Sequence, residues 1–169
     1  MMAKIPGKHR KYPGGTLQSR SALLDLVNVR LLRELQRTPR LPIAALARRV
    51  RMSAPAVAER VRRLEEDGVI AGYRMDVSPK ALGLPVAAYV RIRPAPGLLE
   101  KIAELAQRIP EVVECHRITG EDCFLLKVHV SEIDRLETIL DRFLAFGQTT
   151  SSIVQSSPVP PRALPLPDG

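Results

Sequence analysis

Tryptophan is absent, and aromatic residues make up only 4% of the chain. A core must therefore be built from Leu, Ile, Val and Ala. Cys115 and Cys123 are the two cysteines, too few for a disulfide framework. They flank one turn unequally and would not face each other in a tight hairpin, so no disulfide is expected. No apolar run approaches the roughly 18 residues that span a bilayer. The opening MMAKIPGKHRKYPGG is basic with no apolar stretch behind it, which excludes a secretory signal. The chain reads as cytoplasmic, with no membrane partner. It lacks a glycine-rich phosphate loop, a nucleophile–base pair and paired acids with a plausible cleft. His116 and His129 have no metal-ligand spacing. Nothing requires a cofactor, and the chain reads as a non-enzyme.

Charge is present and unevenly spread. The net charge is +8 over 169 residues. Residues 1–83 hold 17 Lys/Arg against 7 Asp/Glu, whereas residues 84–169 hold 9 against 11. A general basic bias would load both halves. A basic half joined to a near-neutral one points to a polyanion partner for the first half.

The chain divides by pattern. Residues 1–20 form a basic Gly/Pro/Lys-rich arm, 21–74 a helical domain on the basic half, and 75–85 a linker. Residues 86–157 form a second domain, and 158–169 a proline-rich tail that cannot be a central strand. In NVRLLRELQRTPR, Asn28 is placed as N-cap with Val27 and Leu32 as a hydrophobic staple. Leu31, Leu32 and Leu35 form the apolar stripe. LPIAALARRV predicts a short second helix with Pro42 in its first turn and Leu46, Ala47 and Val50 inward.

The stretch SAPAVAERVRRLEEDG predicts the third helix. Ser53 is its N-cap, and Pro55 falls at the second helical position, where a missing N–H costs nothing. Val57, Val61 and Leu64 form one buried stripe. The other side is small and nearly uncharged at its start and carries guanidinium groups further on. A helix entering the major groove needs that slim start, an N-terminus that favours phosphate, and flanking arginines. Ser53, Ala54, Pro55, Ala56, Glu59, Arg60, Arg62 and Arg63 are the candidate contacts to double-stranded DNA, with Arg51 and the basic arm extending them. Ser53 and Arg60 would position on phosphate. Pro55, Ala56 and Glu59 would lie nearest base edges, and Arg62 and Arg63 would neutralise backbone. GVIAGYRMDV is expected to form a two-stranded wing.

These residues resemble the DNA-binding half of the leucine-responsive regulatory protein/AsnC family. The element S…V..RV.RLE..GVI.GY…LG is matched by Ser53, Val57, Arg60, Val61, Arg63, Leu64, Glu65, Gly68, Val69, Ile70, Gly72, Tyr73, Leu82 and Gly83. The family usually has Asp where Asn28 stands and Gly where Arg51 stands. A left-handed non-glycine residue in that turn costs about 1–2 kcal/mol.

In the linker, Ser78 is expected to cap a single turn that Gly83 closes. The C-terminal half then reads β-α-β-β-α-β. Val86, Ala88, Val90 and Ile92 alternate with Ala87, Tyr89, Arg91 and Arg93. Leu99, Ile102, Leu105, Ala106 and Ile109 mark one amphipathic helix. Leu136, Ile139, Leu140 and Phe143 mark another, with Ser131 as its N-cap and Asp134 completing an approximate capping box. EVVECHRITGEDCFLLKVHV is a hairpin with Phe124, Leu126, Val128 and Val130 on one side, and TTSSIVQSS is the last strand. The expected fold class is α+β: a winged helix-turn-helix domain followed by a ferredoxin-like βαββαβ domain. One face of that sheet, bearing Ala87, Tyr89 and Leu125, lacks a helical cover and is a candidate homo-oligomer surface.

The resemblance extends over about residues 28–156 and implies an amino-acid effector bound at the turn between the hairpin strands, at the interface between dimers. The family pattern there is Gly, two residues, Asp, aromatic. Gly120 and Phe124 match, and Cys123 replaces the Asp. The candidate effector residues are Thr119, Gly120, Glu121, Asp122 and Cys123, with Thr150 and Ser152 contributing hydroxyls. A plain polar hairpin turn is the alternative. Three functions are weighed: a sequence-specific transcriptional regulator, an architectural DNA-wrapping protein, and a tetrapyrrole decarboxylase of the same layout. The last would need its positive charge in the other half.

Overall fold

The computed structural model describes residues 23–167. The chain forms two compact units. One runs to Arg74 and also takes in the tail from Pro161, and the other is Met75–Pro160. The basic arm expected over residues 1–20 lies outside the described residues.

The N-terminal unit contains α1 (Leu26–Arg37), α2 (Ile43–Val50) and α3 (Ala54–Glu66). Leu31, Leu35, Leu46, Ala47, Val50, Val57 and Val61 form its core. The predicted stripes of α2 and α3 are the ones buried.

The start of α1 differs from expectation. Asp25, not Asn28, is the N-cap, and its Oδ1 accepts the Asn28 backbone N–H at 2.7 Å. A carboxylate at this place satisfies an orphan N–H and faces the positive end of the helix dipole, which favours Asp over Asn. Asn28 is inside the helix and buried. The Val27–Leu32 staple falls with it, because both residues are already helical. Pro42 is likewise the N-cap residue of α2 and not part of its first turn.

The turn between α2 and α3 rests on Arg51, at φ 58° and ψ 47°. It is the one non-glycine residue with positive φ among those described. The Met52 N–H reaches the Ala47 carbonyl at 3.0 Å, a Schellman closure. Here the turn keeps its left-handed shape without glycine. Arg51→Gly is therefore expected to raise the unfolding free energy by about 0.5–1 kcal/mol, the strain relieved less the extra freedom of glycine when unfolded. Chemical denaturation of the two proteins side by side checks this, and a lowered midpoint would contradict it.

Residues 69–78 form no strand. The two strands expected over GVIAGYRMDV are therefore not found among the described residues. Alternating apolar residues specify a face but not a ladder register. After α3, Gly68 adopts φ 71° and the Ile70 N–H closes onto the Leu64 carbonyl at 2.8 Å.

In the second unit, Ser78 Oγ accepts the Ala81 N–H at 3.4 Å ahead of a short 3-10 turn, Lys80–Leu82, which Gly83 closes at φ 73°. The elements that follow are β1 (Val86–Pro94), α4 (Leu99–Arg108), β2 (Val112–Arg117), β3 (Phe124–Val130), α5 (Ile133–Leu144) and β4 (Gly147–Ile153). The sheet order is β2-β3-β1-β4 and every pairing is antiparallel. This is the ferredoxin-like arrangement expected. The predicted inward residues of β1 and β3 pack with Ile102, Leu105, Ile109, Leu136, Ile139 and Phe143. Ser131 does not cap α5. Glu132 occupies the N-cap position and makes no side-chain capping bond. The last strand begins at Gly147, two residues earlier than its Thr-rich stretch suggests.

Candidate nucleic-acid interface and effector turn

The start of α3 is built as a slim, capped end. Ser53 is extended (φ −70°, ψ 148°), and its hydroxyl accepts the Ala56 N–H at 3.4 Å. Pro55 lies at the second helical position and is exposed, as is Ala58. Further along, Arg62 and Arg63 are exposed and converge on one carboxylate. Arg62 Nε donates to Glu59 Oε2 at 2.9 Å, and Arg63 Nε donates to Glu59 Oε1 at 2.8 Å. Hydrogen bonds from Arg62 and then Arg63 pull the Glu59 carboxyl down to about 2. Glu59 therefore stays an anion at any physiological pH. Exposed pairs of this spacing contribute little, so the arginines can exchange Glu59 for phosphate at small cost.

Arg60 is in a different position from its neighbours. Its Nη1 donates to Asp25 Oδ2 at 2.6 Å and to Asn28 Oδ1 at 3.0 Å. Asn28 Nδ2 in turn donates to the Leu23 carbonyl at 2.9 Å. The guanidinium expected on phosphate is thus committed inside the unit, where it ties α3 to the capped start of α1. Sequence reasoning passed over Asp25 as the other half of this lock. The available signal was an acidic residue immediately before the first apolar turn.

The turn at 119–123 draws in residues the sequence did not single out for it. The Ile118 N–H donates to the Cys123 carbonyl at 2.9 Å, closing the loop. Arg93 pairs with Glu121, and it also lies 3.7 Å from Asp122. Arg91 Nε is 3.8 Å from Asp122 Oδ2. Both carboxylates among the candidate effector residues therefore face β1 arginines. In the sheet register Thr150 is opposite Arg91 and Ser152 opposite Tyr89, so these hydroxyls share the open face with the turn's ion pairs. Lys127 reaches Glu114 at 3.6 Å on the same face. This face is more charged than Ala87, Tyr89 and Leu125 alone suggested. Both cysteines are free. Among the described residues no group of His, Cys, Asp or Glu could hold a metal ion, and no helix is long and apolar enough to cross a membrane.

A helix-turn-helix unit with a capped, arginine-flanked second helix, joined to a ferredoxin-like domain, defines a two-domain DNA-binding regulator. Residues 24–71 match a winged helix-turn-helix DNA-binding family model, and residues 87–164 match the Lrp/AsnC ligand binding domain. The HTH-type transcriptional regulator LrpC of Bacillus subtilis is 32% identical over 79% of this chain and 92% of its own length. The proline dehydrogenase transcriptional activator of Rhodobacter capsulatus is 39% identical over 73% of this chain and 82% of its own. The feast or famine regulatory protein of M. tuberculosis, solved in complex with L-methionine, superposes with a TM-score of 0.78 at 33% identity. That match covers 85% of this chain and 99% of the other. The chain belongs to the Lrp/AsnC family of transcriptional regulators.

Proposed function

We propose that this protein regulates transcription by docking α3 in the major groove as part of a homo-oligomer, and that a small amino acid tunes it. The observation that carries the reading is the exposed side of α3. Its capped start bears Pro55, Ala56 and Ala58, and Arg62 and Arg63 stand one turn further on. Ser53 and the N-terminal N–H groups bind phosphate. Ala54, Pro55 and Ala56 let the helix approach base edges. Glu59, always ionised, accepts from cytosine N4. Arg51, Arg62 and Arg63 take backbone phosphates. Arg60 acts as a positioning residue through Asp25 and Asn28. The segment 75–85 links the DNA-binding domain, 21–74, to the regulatory domain, 86–157. Catalysis has no part in this reading.

For the effector, the turn offers charges of both signs. Arg91 and Arg93 would take the carboxylate of an amino acid, releasing Glu121 or Asp122 for its ammonium group. Thr119, Gly120, Cys123, Thr150 and Ser152 border that place. Amino-acid binding by the M. tuberculosis relative supports the assignment.

The test is binding to DNA upstream of the protein's own coding region, against scrambled DNA of equal length. It is run across a salt series with and without a panel of amino acids. Preference for its own DNA is expected, with an affinity shift from at least one amino acid. Arg63→Ala is expected to lower the salt slope by about one while leaving sequence preference intact. Equal affinity for both DNAs would instead identify an architectural DNA-wrapping protein.

A further inference from the structure

The N-terminal unit has a cleft of about 240 Å³ that DNA recognition does not use. Leu32, Leu35, Gln36 and Pro39 line it from the end of α1, and Ile70 and Tyr73 from the segment after α3. Leu32 and Leu35 are almost fully buried, so this wall is apolar and fixed. The Tyr73 hydroxyl is hydrogen-bonded to Glu65 at 3.0 Å, which holds its ring in place. Gln36 brings the amide donor. That amide is occupied: Nε2 donates to the backbone carbonyl of Leu164 at 3.1 Å, across 128 positions of sequence.

Leu164 lies in the tail, PVPPRALPLP, with prolines at 158, 160, 161, 165 and 167. The tail forms no helix or strand, and from Pro161 onward it groups with the N-terminal unit. Leu166 is half-buried. A chain rich in proline leaves its carbonyls without internal partners and loses little freedom when it docks. Such segments are read by shallow grooves with aromatic and apolar walls, and here the side-chain donor for a carbonyl is Gln36.

We propose that this cleft is the receptor for the chain's own tail, residues 161–167. Gln36 at the rim of the cleft holds the Leu164 carbonyl while the Leu164 side chain stays exposed, and Tyr73 and Pro39 offer the wall on which the half-buried Leu166 and its neighbouring prolines would settle. The chain passes between its two units at Arg74–Met75 and again at Pro160–Pro161. The regulatory domain is therefore joined to the DNA-binding unit by two routes. Only the second can be released without cutting the chain. This inference does not depend on the effector assignment.

Amide hydrogen exchange tests it on three proteins: the full chain, a chain ending at Ser157, and full-length Gln36→Ala. Truncation is expected to speed exchange in residues 32–39 and 69–74 about fivefold, the factor that one modest hydrogen bond carries. Excess synthetic peptide of residues 158–169 restores protection. Gln36→Ala, a substitution that suits an exposed helix position, reproduces the loss without unfolding α1. Unchanged exchange on truncation overturns the proposal. The source of the tail is read from Arg33→Cys/Ala163→Cys, which keeps Gln36 and places the thiols beside it on the same helix face and beside Leu164, in a Cys115→Ser/Cys123→Ser background, joined by a short bismaleimide. A monomer-sized cross-linked product supports docking within one chain, and a dimer-sized product overturns it.

Discussion

Arg60→Ala is expected to cost the N-terminal unit about 1.5–2 kcal/mol and to weaken DNA binding without changing its salt dependence. Hydrogen bonds to charged groups contribute about 1.5–3 kcal/mol. The Arg60 and Asp25 side chains are 32% and 42% exposed, so solvent screens the pair and places it low in that range. The buried Asn28 Oδ1 also loses its partner. Binding falls because α3 loses the tie that fixes its angle against α1. A phosphate contact would behave differently, since its removal lowers the salt slope by about one. A double-mutant cycle with Asp25→Ala separates the two roles further. Strong non-additivity in stability is expected, as for residues that share one network. Additive stabilities together with a reduced salt slope would return Arg60 to the DNA backbone.

The same lock gives the unit a dependence on acid. Burial pushes the Asp25 carboxyl up, but the Asn28 N–H and the Arg60 guanidinium outweigh it and hold the group below its ordinary value. A depressed folded value contributes stability above the unfolded carboxylate value of about 4 and loses it as pH falls through the folded one. The wild-type N-terminal unit should therefore lose this contribution below about pH 4. Arg60→Ala should flatten that dependence, and unfolding curves between neutral pH and acid would show it.

Gly147→Ala is expected to destabilise the C-terminal unit by about 3 kcal/mol, at the upper end of what overpacking costs. Gly147 opens β4 opposite Pro94 of β1. A Cβ there would be driven into the Arg93 carbonyl oxygen, with the Arg93 carbonyl carbon and Pro94 Cα each at 3.0 Å. The obstacle is backbone, so no side-chain rotation relieves it. One residue away, the Ala95 N–H donates to the Phe146 carbonyl at 2.8 Å, which anchors the strand where it would have to move. The backbone angle is not the reason for glycine here, because Gly147 is not among the glycines with positive φ. Separation of β4 from β1 would also displace Thr150 from Arg91 and disturb the turn at 119–123. An unchanged urea midpoint for Gly147→Ala would contradict the argument.

The sequence by itself determined which residues are inside and in what order the elements come. Val57, Val61 and Leu64 on α3, and the alternating residues of β1 and β3, are buried as their spacing requires, because periodicity of 3.6 or 2 maps directly onto a face. Ser53 as a cap and Gly83 as a closure were legible for a similar local reason, whereas the left-handed turn at Arg51 was suggested only by the family resemblance, which has glycine there. Only the tertiary structure decided what each polar group meets. Asn28 and Asp25 are both fair caps, and the choice fell to Asp25, whose carboxylate faces the helix N-terminus, while Asn28 meets Arg60 from inside the helix. Arg60 itself is indistinguishable in sequence from Arg62 and Arg63, yet it points inward while they remain exposed. Glu121 and Asp122 look available in a polar turn, but β1 brings Arg91 and Arg93 against them. The unformed ladder over 69–78 and the requirement for Gly147 share one cause: strand pairing depends on register with a distant segment, which no local pattern names. Side-chain direction along a helix or strand is a local property. A partner across an interface depends on register and packing, which only the folded chain fixes.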